Sequence, residues 1–177
     1  MTMMVQTSTD EAPELLARIE QRRANGLDRH DEWWEGVYRI VTGPSPEHGE
    51  FVASLAAMLL ARAKDRGLGL STPLNIGDDK FDAKVPDLGV FRRDTPRTSP
   101  AFLDTAELVV EVLSPGERSG EKLPFYARRG VSEYLEIDLA RSTVRLLRFD
   151  DGIWNPIDRS AVIEMTVDEV VALLQQQ

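Results

Sequence analysis

The stretch from Leu108 to Lys122, "LVVEVLSPGERSGEK", decides the fold. Val109, Val110, Val112 and Leu113 make a short apolar run bounded by Ser, Pro and Gly, the pattern of a sheet strand covered on both faces. Glu111 sits in the middle of that run with no basic neighbour inside it. An ionised carboxylate in apolar surroundings is costly unless it is paired, protonated or bound to a cation. Glu111 therefore needs a partner from elsewhere in the chain.

Working outward, "GEKLPFYARRG" predicts a helix ended by Gly130, and "SEYLEID" and "TVRLLRFD" predict two strands joined as a hairpin through "LARS". Upstream, Ser45 followed by Pro46 is a helix start, with a hydroxyl at the N-cap and proline where its missing donor costs nothing. That helix runs to Gly67, carries His48, Val52, Leu55 and Leu59 on one stripe, and gathers basic residues in its last turn. Between these elements "LGLSTPLNIG" reads as a strand, "DDKFDAK" as a polar turn, "VPDLGVFRR" as a second strand and "DTPRTSPAFLDTA" as a loop. The core order is helix, strand, strand, strand, helix, strand, an α/β (α+β) arrangement with a mixed central sheet flanked by helices.

Residues 1–177 are expected to form one domain, with 36–149 as its core. Residues 1–30 make a peripheral arm containing an amphipathic helix that places Leu15, Leu16 and Ile19 on one face. "GVYRIVTG" adds an accessory strand. Residues 150–177 make an extension of edge strands and a short helix capped at Thr166.

Composition sets the bounds. The chain is 42% hydrophobic and 29% charged, the balance of an ordinary globular protein. It has no Cys, which excludes disulfides, thiolate nucleophiles and Cys-based zinc sites and leaves oxygen donors for any metal. A net charge of −9 argues against a protein that coats nucleic acid through its whole surface. Residues 84–149, however, hold 11 basic and 10 acidic side chains, so the middle of the chain can present a locally positive face. No apolar run reaches about 18 residues and the N-terminus lacks a secretory pattern, so the expectation is a cytoplasmic protein with no membrane association.

Asp87 in "VPDLGVF" interrupts an apolar strand as Glu111 does. Two strands of one sheet can bring these carboxylates together, and a hard divalent cation such as Mg²⁺ or Mn²⁺ relieves their repulsion with oxygen ligands and retained water. The structural alternative pairs each with a nearby arginine, Arg92 or Arg118, or leaves it at a strand end facing water. Lys122, in the first turn of the following helix, places an ammonium where it neutralises charge developing on a phosphate. Its ordinary reading is a solvated helix lysine. His48 enters the near edge of the sheet from its helix, and Glu50 lies off that stripe.

Pro86-Asp87, "LVVEVLSP", Lys122, Tyr126 and "GVSEYLEID" together resemble the Uma-type family of bacterial restriction endonucleases, within the PD-(D/E)XK nuclease superfamily, over roughly Gly36 to Phe149. The order of elements agrees with that superfamily's αβββαβ restriction-endonuclease-like core. The resemblance implies a Mg²⁺-dependent endonuclease that hydrolyses DNA phosphodiesters through a metal-activated water. Asp87, Glu111 and Lys122 are then catalytic; Asp87, Glu111 and the backbone carbonyl of Val112 hold Mg²⁺ or Mn²⁺; His48 and Tyr126 are accessory. The superfamily's lysine usually lies two residues after the acid, where this chain has Leu113, so the role passes to Lys122. Arg92, Arg93, Arg97, Arg128 and Arg129 would track the DNA backbone, or else are solvated charge. Trp33, Trp34 and Trp154 would stack on bases or anchor the core. A homodimer is expected, because enzymes of this kind pair two sites across a two-fold axis. Two other readings stand beside this one: a silent nuclease fold serving as a binding or assembly module, and a metal-dependent phosphoesterase acting on small nucleotides.

Overall fold

Why Glu111 lies in so apolar a strand follows from the sheet around it. The structure, a computed structural model, describes residues 3–4, 13–41, 43–78, 81–114 and 117–176. The elements run β1 (Met3–Met4), α1 (Pro13–Ala24), β2 (Glu32–Trp34), β3 (Val37–Ile40), α2 (Pro46–Asp65), β4 (Leu68–Ser71), β5 (Ile76–Asp78), β6 (Asp82–Lys84) and β7 (Leu88–Arg92). They continue with β8 (Arg97–Ser99), β9 (Phe102–Leu103), β10 (Leu108–Leu113), α3 (Leu123–Arg128), β11 (Glu133–Asp138), β12 (Thr143–Asp150), β13 (Ile153–Pro156) and α4 (Val167–Leu174).

A six-stranded sheet in the order β13-β12-β11-β10-β7-β4 forms the centre. Only β10 and β11 pair parallel within it, joined by the crossover through α3. The expected helix-strand-strand-strand-helix-strand order is present as α2, β4, β7, β10, α3 and β11. Because successive side chains alternate across a strand, Leu108, Val110 and Val112 face one side of this sheet. There they pack with Leu135 and Ile137 of β11 against Phe51, Leu55 and Leu59 of α2 and Val170 of α4. Each such fully buried side chain contributes about 1.5–3 kcal/mol. Val109 faces the other side, with Tyr134, Phe125 and Tyr126. Glu111 is two residues on from Val109 and so falls on this second face, beneath α3.

The ends of α2 are as the sequence predicts. The Ser45 hydroxyl accepts from the His48 amide at 3.3 Å, and the helix carries Arg62 and Lys64 in its last turn. His48, Val52, Leu55 and Leu59 are all buried. At the C-terminus Thr166 and Glu169 cap α4 reciprocally, and Arg62 of α2 grips the Glu169 carboxylate at 2.5 and 3.0 Å, which ties the two helices on the same face of the sheet.

Four local expectations are corrected. "LGLSTPLNIG" is two strands in different sheets, β4 and β5, separated by the Thr72-Pro73 bend. Part of the polar stretch "DDKFDAK" is not a turn but β6, with Asp82 and Lys84 buried as an ion pair at 2.7 Å, so charge there reflects an internal partnership and not exposure. The Pro- and Thr-rich loop contains β8 and β9, which join β5, β6 and the N-terminal hairpin in a seven-stranded sheet ordered β1-β3-β2-β6-β5-β9-β8. On α1, Ile19 is buried whereas Leu16 is exposed, and the side chain of Leu15 lies outside the described residues. No helix among the described residues is long and apolar enough to cross a membrane.

Candidate active site

The β7–β10 ladder ends at the Val110–Leu88 pair, one residue short of Glu111. Past that point the strands diverge, and Asp87, immediately before β7, turns its carboxylate into the gap. Its Oδ2 accepts from the Val112 amide at 2.8 Å, and its Oδ1 accepts from His48 Nε2 at 2.9 Å. The amide and carbonyl of one strand residue leave the same edge, so the Val112 carbonyl also faces the gap. The hydrogen bond to Asp87 raises the His48 pKa above its ordinary value against the opposing effect of burial.

Glu111 is 7% exposed. The Tyr126 hydroxyl of α3 donates to its Oε1, and Lys122 Nζ donates to its Oε2 at 3.0 Å. Burial, reinforced by the charges of Asp87 and Glu32, pushes its pKa above the usual carboxylate range, with Lys122 and Tyr126 pulling the other way. Burial disfavours the Lys122 ammonium, but attraction to Glu111 and Glu32 outweighs it and raises the Lys122 pKa. Burial also raises the Tyr126 hydroxyl well above its ordinary value. Lys122 is the residue just before α3, at its N-cap and not inside its first turn. Gly120, with φ +68, makes the turn that brings it over β10.

Glu32 is the site residue that sequence reasoning missed. It is 4% exposed and comes from β2, in the N-terminal part of the chain. Its Oε1 accepts from the Val85 amide at 2.9 Å and lies 2.8 Å from Lys122 Nζ, while its Oε2 accepts from Trp34 Nε1 at 2.8 Å. None of these partners except Trp34 is near it in sequence. The only signal was an acid at the start of the aromatic pair in "DEWWEG".

Asp87, Glu111, Val112, Lys122 and His48, with Glu32, line one cleft of about 340 Å³. Tyr126 reaches it from below through Glu111. The arginines assigned to DNA are elsewhere. Arg92 and Arg93 are exposed at the far end of β7, where Arg92 meets Asp94 at 3.4 Å. Arg97 donates to the Pro100 carbonyl. Arg128 pairs with Glu35 and Asp82, and Arg129 with Asp104. The cations on the cleft wall are instead Arg39, Arg118 and Lys122. Trp34 faces the cleft, but Arg39 lies 3.6 Å from its ring and Lys84 4.2 Å, so cations occupy the indole surface that base stacking would need. Trp33 packs edge-on to Tyr38, and Trp154 contacts Tyr134 and Phe149. Glu50 is exposed.

The donors fit a hard divalent cation. Two carboxylates and a carbonyl oxygen share one cleft, where a cation relieves the repulsion between Asp87 and Glu111. Each carboxylate oxygen keeps a second lone pair beside its present hydrogen bond. Among the described residues no three His, Asp or Glu side chains converge as a metal cluster, so an ion here would complete its shell with water.

A central mixed sheet with this order of elements defines the restriction-endonuclease-like fold. The sequence matches the family described as Uma2, "Putative restriction endonuclease", over residues 13–173, and the chain belongs to that family. Among solved structures it resembles a "putative nuclease belonging to DUF820" from Anabaena variabilis ATCC 29413. The TM-score is 0.64 at 18% identity, covering 81% of this chain and 90% of that one. A chain of the DrdV-DNA complex aligns at TM-score 0.37 and 13% identity, over 69% of this chain and 11% of that one. No curated protein matches the sequence.

Proposed function

We propose that the protein is a Mg²⁺- or Mn²⁺-dependent endonuclease that hydrolyses DNA phosphodiester bonds in the cleft between β7 and β10. The observation that carries this reading is the convergence of Asp87, Glu111 and Lys122 from three separate segments on one cleft. Asp87, Glu111 and the Val112 carbonyl would hold the cation. When bound, it supplies Lewis-acid polarisation of the phosphate and lowers the pKa of a coordinated water.

The remaining work belongs to the chain. His48 and the Val112 amide fix both oxygens of Asp87, so the carboxylate is oriented before substrate arrives. Tyr126 fixes one oxygen of Glu111 from beneath. Lys122, held charged, faces the cleft and stabilises negative charge that develops on the phosphate during attack. Arg39 and Arg118 on the cleft wall are the cations placed to meet neighbouring phosphates.

The test is incubation of purified protein with plasmid DNA and Mg²⁺ or Mn²⁺. Nicking or cutting that disappears in Glu111→Gln, with an unchanged circular dichroism spectrum, supports the reading. A wild type that neither cuts DNA nor takes up Mn²⁺ refutes it. A second reading, hydrolysis of small nucleotide esters, is favoured by the engagement of Arg128 and Arg129 with Glu35, Asp82 and Asp104, away from the cleft. Faster turnover of a mononucleotide ester than of plasmid would favour it.

A further inference from the structure

We infer that Glu32 is a positioning residue of the active site, fixing Lys122 between two carboxylates and so making the accessory β2–β3 hairpin part of the catalytic apparatus. The inference rests on the nuclease reading of the cleft and adds a residue to it.

Lysine has a long, flexible stem and an ammonium that pairs as a point charge. Lys122 lies outside β10, so the strand that carries Glu111 does not set its position. What holds it is a pair of contacts, 2.8 Å to Glu32 Oε1 and 3.0 Å to Glu111 Oε2. Glu32 is itself immobilised, because the Val85 amide, just after β6, and the Trp34 indole, on the same strand β2, each donate to it. Trp34 is in turn clasped by Arg39 and Lys84. The ammonium thus stands on a rigid base built by the N-terminal hairpin.

The charge of Glu32 has a second effect. Without it, Lys122 would belong to Glu111 alone and would neutralise that carboxylate. With it, the ammonium is shared by two anions, so Lys122 does not cancel the negative charge of the cleft and the cleft as a whole still attracts a cation. Glu32 touches neither the proposed metal ligands nor, in this reading, the substrate; it acts through Lys122.

The experiment is a double-mutant cycle with Glu32→Gln and Lys122→Met, read by saturating cleavage kinetics and by calorimetry with Mn²⁺. Glu32→Gln is expected to lower kcat by about 10- to 100-fold with KM within about twofold, and to weaken Mn²⁺ by about tenfold through the lost charge balance. In the Lys122→Met background the same substitution should change kcat by less than about twofold, because the residue it positions is gone. A full additional loss in that background means that Glu32 acts through the fold at large and overturns the inference. So does a Glu32→Gln variant with wild-type kcat and Mn²⁺ affinity. If Glu32→Gln shows no cooperative melt, the cycle is run with Glu32→Asp, whose retained charge one methylene back should still lower kcat through Lys122. A wild type that takes up no Mn²⁺ and cuts nothing refutes the nuclease reading itself, an outcome distinct from either failure of the cycle.

Discussion

Lys122 Nζ stands 2.8 Å from Glu32 Oε1 and 3.0 Å from Glu111 Oε2, one ammonium shared by two buried carboxylates. Removing a partner from a buried ion set leaves uncompensated charge, which costs about 3–5 kcal/mol. Lys122→Met keeps most of the volume and removes the charge, so the unfolding free energy from urea titration at neutral pH should fall by that amount, with a lower midpoint. Cleavage should fall by about 100-fold or more. A midpoint equal to wild type would mean that solvent, and not Lys122, compensates the two carboxylates.

Asp87 is fixed at both oxygens, by His48 and by the Val112 amide. Asp87→Asn retains an oxygen for the Val112 amide while deleting the charge and one anionic donor. Mn²⁺ affinity, measured by calorimetry, should therefore drop by about tenfold or more with little change in melting temperature. Equal affinity in the variant would remove Asp87 from the metal set.

Much of this arrangement was legible because it depends on short-range pattern. The apolar run around Glu111, the Ser45-Pro46 helix start and the Thr166 cap each specify an element through local chemistry, and each is found where it was read. Asp87 and Glu111 were recognisable because a charge in an apolar run of sequence is conspicuous, although Asp87 does not interrupt its strand as expected but precedes it, β7 beginning at Leu88. Glu32 was not, because its fixed position depends on Val85 and Lys122, which no local pattern connects to β2. β6 was misread for a related reason. Asp82 and Lys84 look solvated in sequence, but they neutralise each other, and Lys84 lies 4.4 Å from the Phe125 ring as well as against Trp34. The bend at Thr72-Pro73 likewise sends the chain from one sheet to the other, a tertiary choice that the alternation of "LGLSTPLNIG" does not encode.

Gly77 tests the junction between β5 and β6. Its φ is +110°, and a Cβ there would stand 2.3 Å from the Asp82 carbonyl oxygen and 3.0 Å from the Ala83 Cα. Both obstacles are backbone, so neither yields by a rotamer change, and the conformation is one that L side chains rarely adopt. Gly77→Ala should lower stability by about 3 kcal/mol or more, seen as a large fall in the urea midpoint. A loss under about 1 kcal/mol would show that the pairing of β5 with β6 yields around the new side chain.

Arg62 and Glu169 provide the pH test of the packing between α2 and α4. The Arg62 guanidinium, followed by the Thr166 amide and hydroxyl, lowers the Glu169 carboxyl from 4.5 to about 2, against a small opposing effect of burial. A folded-state pKa below the unfolded one means that the contribution is fully present above the unfolded value. It is lost progressively as pH falls from about 4.5 through about 2. The Glu169 side chain is 39% exposed, so solvent screening limits the gain to about 1 kcal/mol. Glu169→Gln should accordingly be less stable than wild type by about that amount at pH 7. The gap should narrow steadily as the pH is lowered from about 5 to about 3. Urea titrations of both proteins across that range measure it directly, and a gap that stays constant with pH would assign the α2–α4 contact to apolar packing and not to this ion pair.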